Sequence, residues 1–409
     1  MRKLEQAVIL CGGLGTRLRP YTDSMPKPMV LCNGKPFLWY LLQQLYDQKI
    51  RQFVLLTGYL SGKIKEYFGN GSEWGWKIEY SEGPIEWDTG RRIWEAKTKI
   101  DSRFLLLYSD NFALFQLDKV LAFHNQNHKT LTFMVVSKKP GNIALSKEGV
   151  VKKYDNNRSD MDLDHVEIGY MIIEKDRTLG FFNKPECSFS SILRKMASQQ
   201  QISAWIQYDQ YYSISDPERW KKTEEYLKPK KIILIDRDGV INQKAPQGEY
   251  ISKWEDFKWI PETRSAMKLL AQKGFTFIVI SNQAGVARGM VNTNHLERIH
   301  HKMKGELKSD NIEILDIYIC PHHWNDGCDC RKPNPGMLFQ ASNDHLFRLD
   351  QTLFIGDDSR DCQAAERAGC NSIFVGKTTD LKNLTRAEQP VYASNSLYAA
   401  VDTIIKYFL

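Results

Sequence analysis

The sequence predicts two α/β domains, each a mostly parallel sheet flanked by helices. The chain has 409 residues, which suits two domains at roughly 100–200 residues each. Short apolar runs alternate with amphipathic stretches through both halves, as strands joined by helices do. A charged stretch, WKKTEEYLKPKK, precedes a new apolar run and contains Pro229. We therefore predict domains at residues 1–225 and 226–409.

In the first half, the predicted strands are short, apolar and bounded by turn residues. They read QAVILC, FVLLTGY, FLLLYSD and TLTFMVV, and an amphipathic run, FLWYLLQQLYDQKI, predicts a helix between them. A glycine-rich loop follows the first strand directly. These features predict a Rossmann-like order of strands and helices.

The second half repeats this organisation. KIILID, FTFIVIS, ILDIYIC and QTLFIGD predict buried strands, and SAMKLLAQKG, LERIHHKMKGEL and DCQAAERAG predict helices. Two of these helices end at glycine, as a C-terminal cap does.

Composition narrows the class of protein. Hydrophobic residues make up 42% and charged residues 26%, with a net charge of +7. The basic residues are dispersed, so we expect phosphorylated small substrates and no nucleic-acid partner. No apolar run reaches the ~20 residues of a membrane span, and the N-terminal apolar run is too short for a signal peptide. We expect a cytoplasmic chain whose eight cysteines are buried thiols or metal ligands.

Polar side chains follow three predicted strands of the second half. Asp236 and Asp238 follow the first, Ser281 ends the second, and Asp357 follows another. In an open α/β sheet the ligand crevice lies beyond the carboxyl ends of strands. These side chains suit phosphoryl transfer through an aspartyl-phosphate. That reaction uses a carboxylate nucleophile, a second carboxylate as acid and base, and Mg²⁺. A hydroxyl and an ammonium, here that of Lys332, would bind the phosphoryl oxygens.

The stretches DRDGV, SNQAGVARG, CRKP and GDDSRD, in this order, resemble the four motifs of the haloacid dehalogenase superfamily. The resemblance covers roughly residues 230–378. It implies that Asp236 is the nucleophile and Asp238 the acid/base, and that Ser281 and Lys332 bind phosphate. It also implies that Asp236, the backbone carbonyl of Asp238 and Asp357 hold Mg²⁺.

CPHHWNDGCDCRKP contains a second candidate metal site. Cys320, His322, Cys328 and Cys330 supply four ligands of the type that tetrahedral structural Zn²⁺ requires. Buried thiols are the alternative, but the intervening loop is polar. The metal would pin a loop that delivers Arg331 and Lys332 to the phosphate. This pattern resembles the branch containing heptose-1,7-bisphosphate 7-phosphatases and histidinol-phosphatases, and the short gap before the CxC pair leaves both substrates open.

The run GGLGTRLRPYT…MPKPMV opens the first half. Its glycines allow backbone N–H groups to approach phosphates. It resembles the sugar-1-phosphate nucleotidyltransferases, in which a sugar phosphate attacks the α-phosphate of a nucleoside triphosphate and pyrophosphate leaves. The resemblance covers roughly residues 5–225. It implies that the triphosphate is bound by Gly12, Gly13, Gly15 and Arg17. It also implies that Lys27 bridges the reacting phosphates and that Asp110 holds Mg²⁺.

Other positions match this family more loosely. Asp88 and Gly90, in DTGRRI, fall where the family has a base-contacting turn. Lys153, Glu167 and Gly169 fall where it binds the sugar phosphate and the sugar.

One position departs from the family pattern. The family usually has a second metal-binding carboxylate where this chain has Ser213, and Asp216 lies three positions further on. Separately, His124 and His128 lack a carboxylate at a useful offset, and we expect both at the surface.

Together the two resemblances imply consecutive steps of one pathway. A phosphatase would remove the 7-phosphate of D-glycero-D-manno-heptose 1,7-bisphosphate, and a guanylyltransferase would convert the heptose 1-phosphate to GDP-heptose for surface polysaccharide. One alternative is a histidinol-phosphatase or another small-phosphate hydrolase. Another is a first domain that binds nucleotide or sugar with little catalysis, as Ser213 suggests.

Overall fold

The computed structural model describes residues 4–158 and 160–408. The chain divides into two compact units, Met1–Glu225 and Tyr226–Leu409. Each unit has its own sheet, and the predicted α/β class is confirmed. Among the described helices, none is long and apolar enough to cross a membrane.

The first unit alternates strands and helices in the order predicted. Its strands are β1 (Gln6–Cys11), β2 (Leu31–Cys32), β3 (Lys35–Pro36), β4 (Gln52–Thr57), β5 (Lys77–Glu82), β6 (Arg103–Tyr108), β7 (Asn111–Ala113), β8 (Leu131–Ser137), β9 (Ile143–Leu145), β10 (Val151–Tyr154), β11 (His165–Glu174), β12 (Ile202–Ile206) and β13 (Tyr211–Ser213). Its helices are α1 (Phe37–Asp47), α2 (Ser61–Phe68), α3 (Thr89–Glu95), α4 (Leu117–Asn127), α5 (Lys175–Leu179), α6 (Phe189–Ser198) and α7 (Pro217–Leu227), whose last two residues belong to the second unit.

The described part of this unit has a main sheet of nine strands. Its principal order is β10-β9-β11-β6-β1-β4-β5, and β8 pairs with both β11 and β12. Pairing is parallel through β6, β1, β4 and β5, whereas β11 runs antiparallel to its neighbours. The four parallel strands therefore bring their carboxyl ends, and the loops after them, to one edge.

The second unit begins with a strand of four buried aliphatic residues. Its strands are β14 (Ile232–Ile235), β15 (Thr276–Asn282), β16 (Ile314–Cys320), β17 (Leu353–Gly356), β18 (Asn371–Val375) and β19 (Tyr392–Ser394). Its helices are α8 (Thr263–Gln272), α9 (Thr293–Ser309), α10 (Gly336–His345), α11 (Ser359–Ala368) and α12 (Leu397–Tyr407).

This sheet is parallel throughout, in the order β16-β15-β14-β17-β18-β19. Burial on both faces explains why its central strands read as continuous apolar runs. Helix α11 begins with a capping box formed by Asp358 and Asp361, and it ends at Gly369 with φ +69°. The capping box fixes the start of α11 next to the end of β17, and the glycine ends the helix.

Candidate functional site

The adjacent strands β15, β14 and β17 place polar residues at one edge of the second sheet. Asp236 follows β14, Ser281 lies near the end of β15, and Asp357 follows β17. The backbone N–H of Asp236 donates to the carbonyl of Ile355, so its position is fixed by the neighbouring strand.

Lys332 reaches this edge from a distant loop. Its ammonium lies 3.0 Å from Asp236 Oδ1 and 2.7 Å from Asp361 Oδ1, and only 3% of its side chain is exposed. It also donates to the carbonyl of Ile280. Burial lowers the pKa of Lys332, but the two carboxylates outweigh it and hold the lysine protonated. Burial raises the pKa of Asp236 to about 7.

Asp238 is held by donors on several sides. Arg237 Nη2 lies 2.9 Å from Asp238 Oδ2, Gln283 Nε2 donates to the same oxygen at 2.7 Å, and Asn242 Nδ2 donates to Oδ1 at 2.9 Å. Burial raises the pKa of Asp238, but the Arg237 charge and these hydrogen bonds bring it below its usual range. Arg237 in turn donates to His300 Nε2 at 2.9 Å.

Three carboxylates form a candidate cation centre. Oxygens of Asp236, Asp357 and Asp361 all lie within 4.8 Å of one another. Among the described residues, no donor reaches the buried Asp357 Oδ1, whereas Asp361 Oδ1 faces the Lys332 ammonium. A Cβ on Gly239 would lie 1.9 Å from Asp357 Oδ2, so only glycine leaves room for that carboxylate. A buried oxygen without a donor fits a hard divalent cation.

Asp236, Asp238 and Asp361 line a cavity of about 280 Å³. The loop at residues 244–251 forms one wall, and from it Lys244 pairs with Asp357 at 2.7 Å. Ser281 and Lys332 are in the lining, whereas Arg331 is not. The Nη1 atom of Arg331 is buried, and no described residue forms a hydrogen bond with it.

The cysteine and histidine ligands predicted for zinc come together. The Sγ atoms of Cys320 and Cys328 are 3.6 Å apart, those of Cys328 and Cys330 are 3.4 Å apart, and His322 Nδ1 lies 3.1 Å from Cys330 Sγ. A tetrahedron with Zn–S bonds of about 2.3 Å has S–S edges of about 3.8 Å, so this spacing fits the ion. His323 instead contacts Trp324, with ring centroids 3.8 Å apart and ring planes tilted by 36°.

Asn282 connects the cysteine loop to the phosphoryl site. It lies opposite Cys320 in the β15–β16 register. Its amide donates to the carbonyl of Lys332 and accepts from the backbone N–H of Lys332. Order in the cysteine loop therefore bears directly on the position of the Lys332 ammonium.

In the first unit, the glycine-rich loop follows β1. Gly13 has open space where a Cβ would lie, so its backbone is accessible. Gly15 has φ +64°, and a Cβ there would lie 2.9 Å from Lys27 Cβ. Gly12 lies instead over the guanidinium of Arg92. Arg17 is exposed, and its charge adds slightly to the lowering of the Asp216 pKa that the backbone N–H of Arg219 mainly causes.

Lys27 and Asp110 form the polar centre beside this loop. Lys27 Nζ lies 2.6 Å from Asp110 Oδ2. Their side chains are 13% and 26% exposed, so both remain accessible to a ligand. An ammonium beside a carboxylate at the ends of parallel strands can neutralise phosphate and bind a cation.

Two of the three predicted sugar-site residues are joined. Glu167 accepts from the backbone N–H of Gly169 at 2.8 Å, and Gly169 has φ +81° against the ring of Tyr108. Burial raises the pKa of Glu167 to about 8, and the charge of Asp110 adds to this rise. Lys153 pairs with Asp160 instead, and within the described chain no hydrogen bond or ion pair links it to Glu167.

Asp88 and Gly90 lie at the N-terminus of α3. Asp88 Oδ1 accepts from the backbone N–H groups of Gly90 and Phe189. A Cβ on Gly90 would lie 2.1 Å from the carbonyl of Cys187. The geometry gives both residues a role in joining α3 to α6.

Ser213 occupies the position where the family pattern has a carboxylate. It lies opposite Asn111 in the β13–β7 register, next to Asp110, and its Oγ accepts from the backbone N–H of Ser215. The carboxylate of Asp216 accepts from the backbone N–H of Arg219 at 2.9 Å. Asp216 therefore has a structural partner at the start of α7.

The expectation of a surface position was wrong for His124. It is 2% exposed, and its ring contacts Thr132 Oγ1 at 2.7 Å and Glu174 Oε1 at 3.2 Å. The carboxylate partner exists, but it is distant in sequence, so local spacing gave no signal. Local motifs likewise missed the contact of Asp361 with Lys332 and the burial of Arg92.

Comparison with known families agrees with this division. The family model described as nucleotidyl transferase matches residues 6–159, and the model described as HAD-hydrolase-like matches residues 329–400.

Known proteins resemble each unit. The D-glycero-alpha-D-manno-heptose-1,7-bisphosphate 7-phosphatase of Photorhabdus laumondii is 36% identical over 156 residues, 36% of this chain and 83% of the relative. The D-glycero-beta-D-manno-heptose-1,7-bisphosphate 7-phosphatase of Pseudomonas aeruginosa is 37% identical over 144 residues, 35% of this chain and 80% of the relative. The crystal structure of HddC from Yersinia pseudotuberculosis is 23% identical with a TM-score of 0.49, covering 55% of this chain and 100% of that chain. Through its second unit this chain belongs to the heptose-1,7-bisphosphate 7-phosphatase family, and it joins that enzyme to a nucleotidyl transferase domain.

Proposed function

We propose that this chain is a bifunctional enzyme that makes a nucleotide-activated heptose in two steps. The second unit removes the 7-phosphate of D-glycero-D-manno-heptose 1,7-bisphosphate, and the first transfers GMP from GTP to the heptose 1-phosphate. The observation that carries the proposal is the convergence of Asp236, Asp238, Ser281 and Lys332 on one cavity, in a chain that also has a nucleotidyl transferase domain. GTP and sugar phosphates are cytoplasmic metabolites, so we expect the chain to act there and to supply surface polysaccharide.

In the first phosphatase step, an oxygen of Asp236 attacks the phosphorus of the 7-phosphate. The bond from phosphorus to the sugar oxygen breaks, and Asp238 donates a proton to that oxygen. Asp238 must first take up this proton. The negative charge of the phosphate arriving beside it raises the pKa of Asp238 and favours that uptake.

In the second phosphatase step, Asp238 as carboxylate accepts a proton from water. The water oxygen bonds to phosphorus, the bond to Asp236 breaks, and inorganic phosphate leaves. Arg237, Asn242 and Gln283 stabilise this carboxylate form of Asp238. Ser281 and Lys332 bind phosphoryl oxygens through both steps.

Mg²⁺ fits the three-carboxylate centre of the second unit. Asp236, Asp357 and the carbonyl of Asp238 would hold it, and the position of Asp361 makes this carboxylate a further candidate. Bound there, the ion would neutralise the charge of the phosphate and of the nucleophile.

Zn²⁺ fits the set Cys320, His322, Cys328 and Cys330. Its role would be structural, because four protein ligands leave no open position for substrate. It would order the loop that carries Arg331 and Lys332.

In the first unit, an oxygen of heptose 1-phosphate attacks the α-phosphorus of GTP. The bond between that phosphorus and the bridging oxygen to the β-phosphate breaks, and pyrophosphate leaves. No proton has to be removed from the attacking oxygen, so positioning and charge neutralisation carry the step. Gly13, Gly15 and Arg17 would hold the triphosphate, Lys27 would bridge the reacting groups, and Asp110 would hold Mg²⁺.

One incubation tests the whole proposal. The chain is mixed with Mg²⁺, GTP and inorganic pyrophosphatase, and with the alpha or the beta anomer of the heptose bisphosphate in separate reactions. Mass spectrometry should detect GDP-heptose with one anomer. Heptose 1-phosphate as the sole product would support the phosphatase step and contradict the second step. Either GTP would then not be the nucleotide substrate, or Ser213 would not permit turnover. An unchanged bisphosphate would contradict the proposal and turn attention to histidinol phosphate.

A further inference from the structure

Arg92 of α3 is buried beneath the glycine-rich loop of the first unit, with 4% of the residue exposed. Its guanidinium donates to the carbonyls of Thr57 and Pro84 at 2.7 Å each. Longer contacts reach the carbonyls of Gly12 at 3.4 Å and Gly83 at 3.5 Å. One side chain therefore contacts three separate loop segments.

These segments come from adjacent parallel strands. Gly12 follows β1, Thr57 ends β4, and Gly83 follows β5, in the sheet order β1-β4-β5. The planar guanidinium has five N–H donors in a fixed arrangement, which suits it to hold several carbonyls at set distances. Arg92 fixes the spacing of the loops at the edge where the triphosphate is proposed to bind.

Two glycines make room for this side chain. A Cβ on Gly12 would lie 2.4 Å from the guanidinium carbon of Arg92, and a Cβ on Gly58 would lie 2.6 Å from Nη2. Gly12 thus leaves room for the buried guanidinium of Arg92, whereas the space beside Gly13 in the same loop is open.

The charge of Arg92 has no carboxylate at ion-pair distance in the described chain. Its hydrogen-bond acceptors are neutral carbonyls. Burial raises the pKa of the neighbouring Cys11 to about 12, so that thiol is neutral, and Glu86 acts on Arg92 only as a more distant charge. The other buried cations of the described chain each have a carboxylate partner: Lys332 contacts two, Arg237 contacts Asp238 and Arg348 contacts Asp350. A buried charge without a counterion projects its field into the adjacent loop, where screening by water is weak.

We infer that Arg92 is a positioning residue for polyphosphate binding: it braces the three loops and supplies the positive charge beneath Gly12 that an incoming polyphosphate neutralises. This inference rests on the proposed nucleotide site of the first unit. It predicts that the contribution of Arg92 to affinity grows with the number of phosphate charges on the ligand.

The experiment measures dissociation constants of the full chain, with Mg²⁺, for inorganic tripolyphosphate, GTP and GMP by titration calorimetry. Arg92→Gln should raise the dissociation constants of tripolyphosphate and GTP by about tenfold or more, and that of GMP by a clearly smaller factor. Arg92→Lys should retain part of the tripolyphosphate affinity. Arg177→Gln, which removes the same charge from an exposed position, is the matched control and should change none of these constants.

If the role of Arg92 were purely structural, Arg92→Gln would weaken the binding of all three ligands by the same factor, and that result would overturn the inference. Unchanged affinity in Arg92→Gln, or no tripolyphosphate binding by the wild-type chain, would also overturn it. If Arg92→Gln does not fold, Gly58→Ala tests the same point, because its Cβ displaces the guanidinium. Tripolyphosphate binding without GDP-heptose formation would leave the inference standing and reject the proposed reaction.

Discussion

Lys332 Nζ lies 3.0 Å from Asp236 Oδ1, although the two residues are far apart in sequence. The contact joins the end of β14 to the loop that carries the cysteine cluster. Both side chains are largely buried, so the ammonium and the carboxylate each reduce the cost of burying the other. An ammonium at this distance can bind a phosphoryl oxygen as soon as Asp236 becomes bonded to phosphorus.

Asp236→Asn should abolish phosphate release, because an amide cannot form the aspartyl-phosphate. We expect a loss of at least about a thousandfold in kcat, measured as phosphate released from the heptose bisphosphate. GDP-heptose formation from supplied heptose 1-phosphate should be unchanged, which makes the first unit an internal control. Phosphate release at the wild-type rate would rule out Asp236 as the nucleophile.

Lys27→Met should impair nucleotidyl transfer and leave the phosphatase intact. Removing the ammonium removes one preorganised positive group at the reacting phosphates, a loss of roughly 100–1000-fold in kcat. Pyrophosphate release reports the step. Lys99→Met removes a lysine at an exposed position that donates to the carbonyl of Tyr80, and it should transfer GMP normally. Equal rates for the two variants would contradict the role of Lys27.

Cys328→Ala should remove zinc from the purified chain. Three remaining ligands hold the ion less tightly, so elemental analysis should fall from about one zinc per chain to well below it. Phosphate release should also decline, because Asn282 joins the cysteine loop to Lys332. Cys187→Ala, in the first unit, should retain zinc. Full zinc content in Cys328→Ala would show that Cys328 is not a zinc ligand and would contradict the proposed site.

The sequence was sufficient for those parts of the site that local chemistry specifies. The apolar runs located β14, β15 and β17, and Asp236 and Ser281 follow from the ends of these strands. The cysteine cluster was readable because its ligands are close in sequence. In each case the signal lies within one short segment, so no tertiary contact had to be known.

The parts that were missed depend on contacts across the fold. The burial of Arg92 requires the glycines at positions 12 and 58, which follow two other strands. His124 finds its partner Glu174 on a different strand. Asp361 lies within the GDDSRD stretch, but its contact with Lys332 depends on the path of the cysteine loop.

His300→Gln should reduce the acid sensitivity of the second unit. His300 is half-buried against the Arg237 guanidinium, and this burial, with that charge adding to it, lowers its pKa to about 3. The unfolded imidazole takes up a proton near pH 6.5. Between pH 6.5 and 3 the unfolded state therefore binds more protons, so the free energy of unfolding falls as the pH falls. The loss amounts to about 2 kcal/mol at pH 5, at about 1.4 kcal/mol per pH unit.

The measurement is urea unfolding of the wild-type chain and of His300→Gln at pH 7 and at pH 5. The introduced glutamine has no titrating group, and its amide oxygen can accept the hydrogen bond from Arg237, so the variant should lose about 2 kcal/mol less than the wild type between these pH values. The carboxylates of the chain titrate equally in both proteins, so their contributions to the free energy of unfolding cancel in this difference. His295→Gln, which changes an exposed histidine on the same helix, should behave as the wild type. Parallel pH dependence in His300→Gln and the wild type would show that His300 is protonated in the folded chain at pH 5, and that its contact with Arg237 does not hold it neutral.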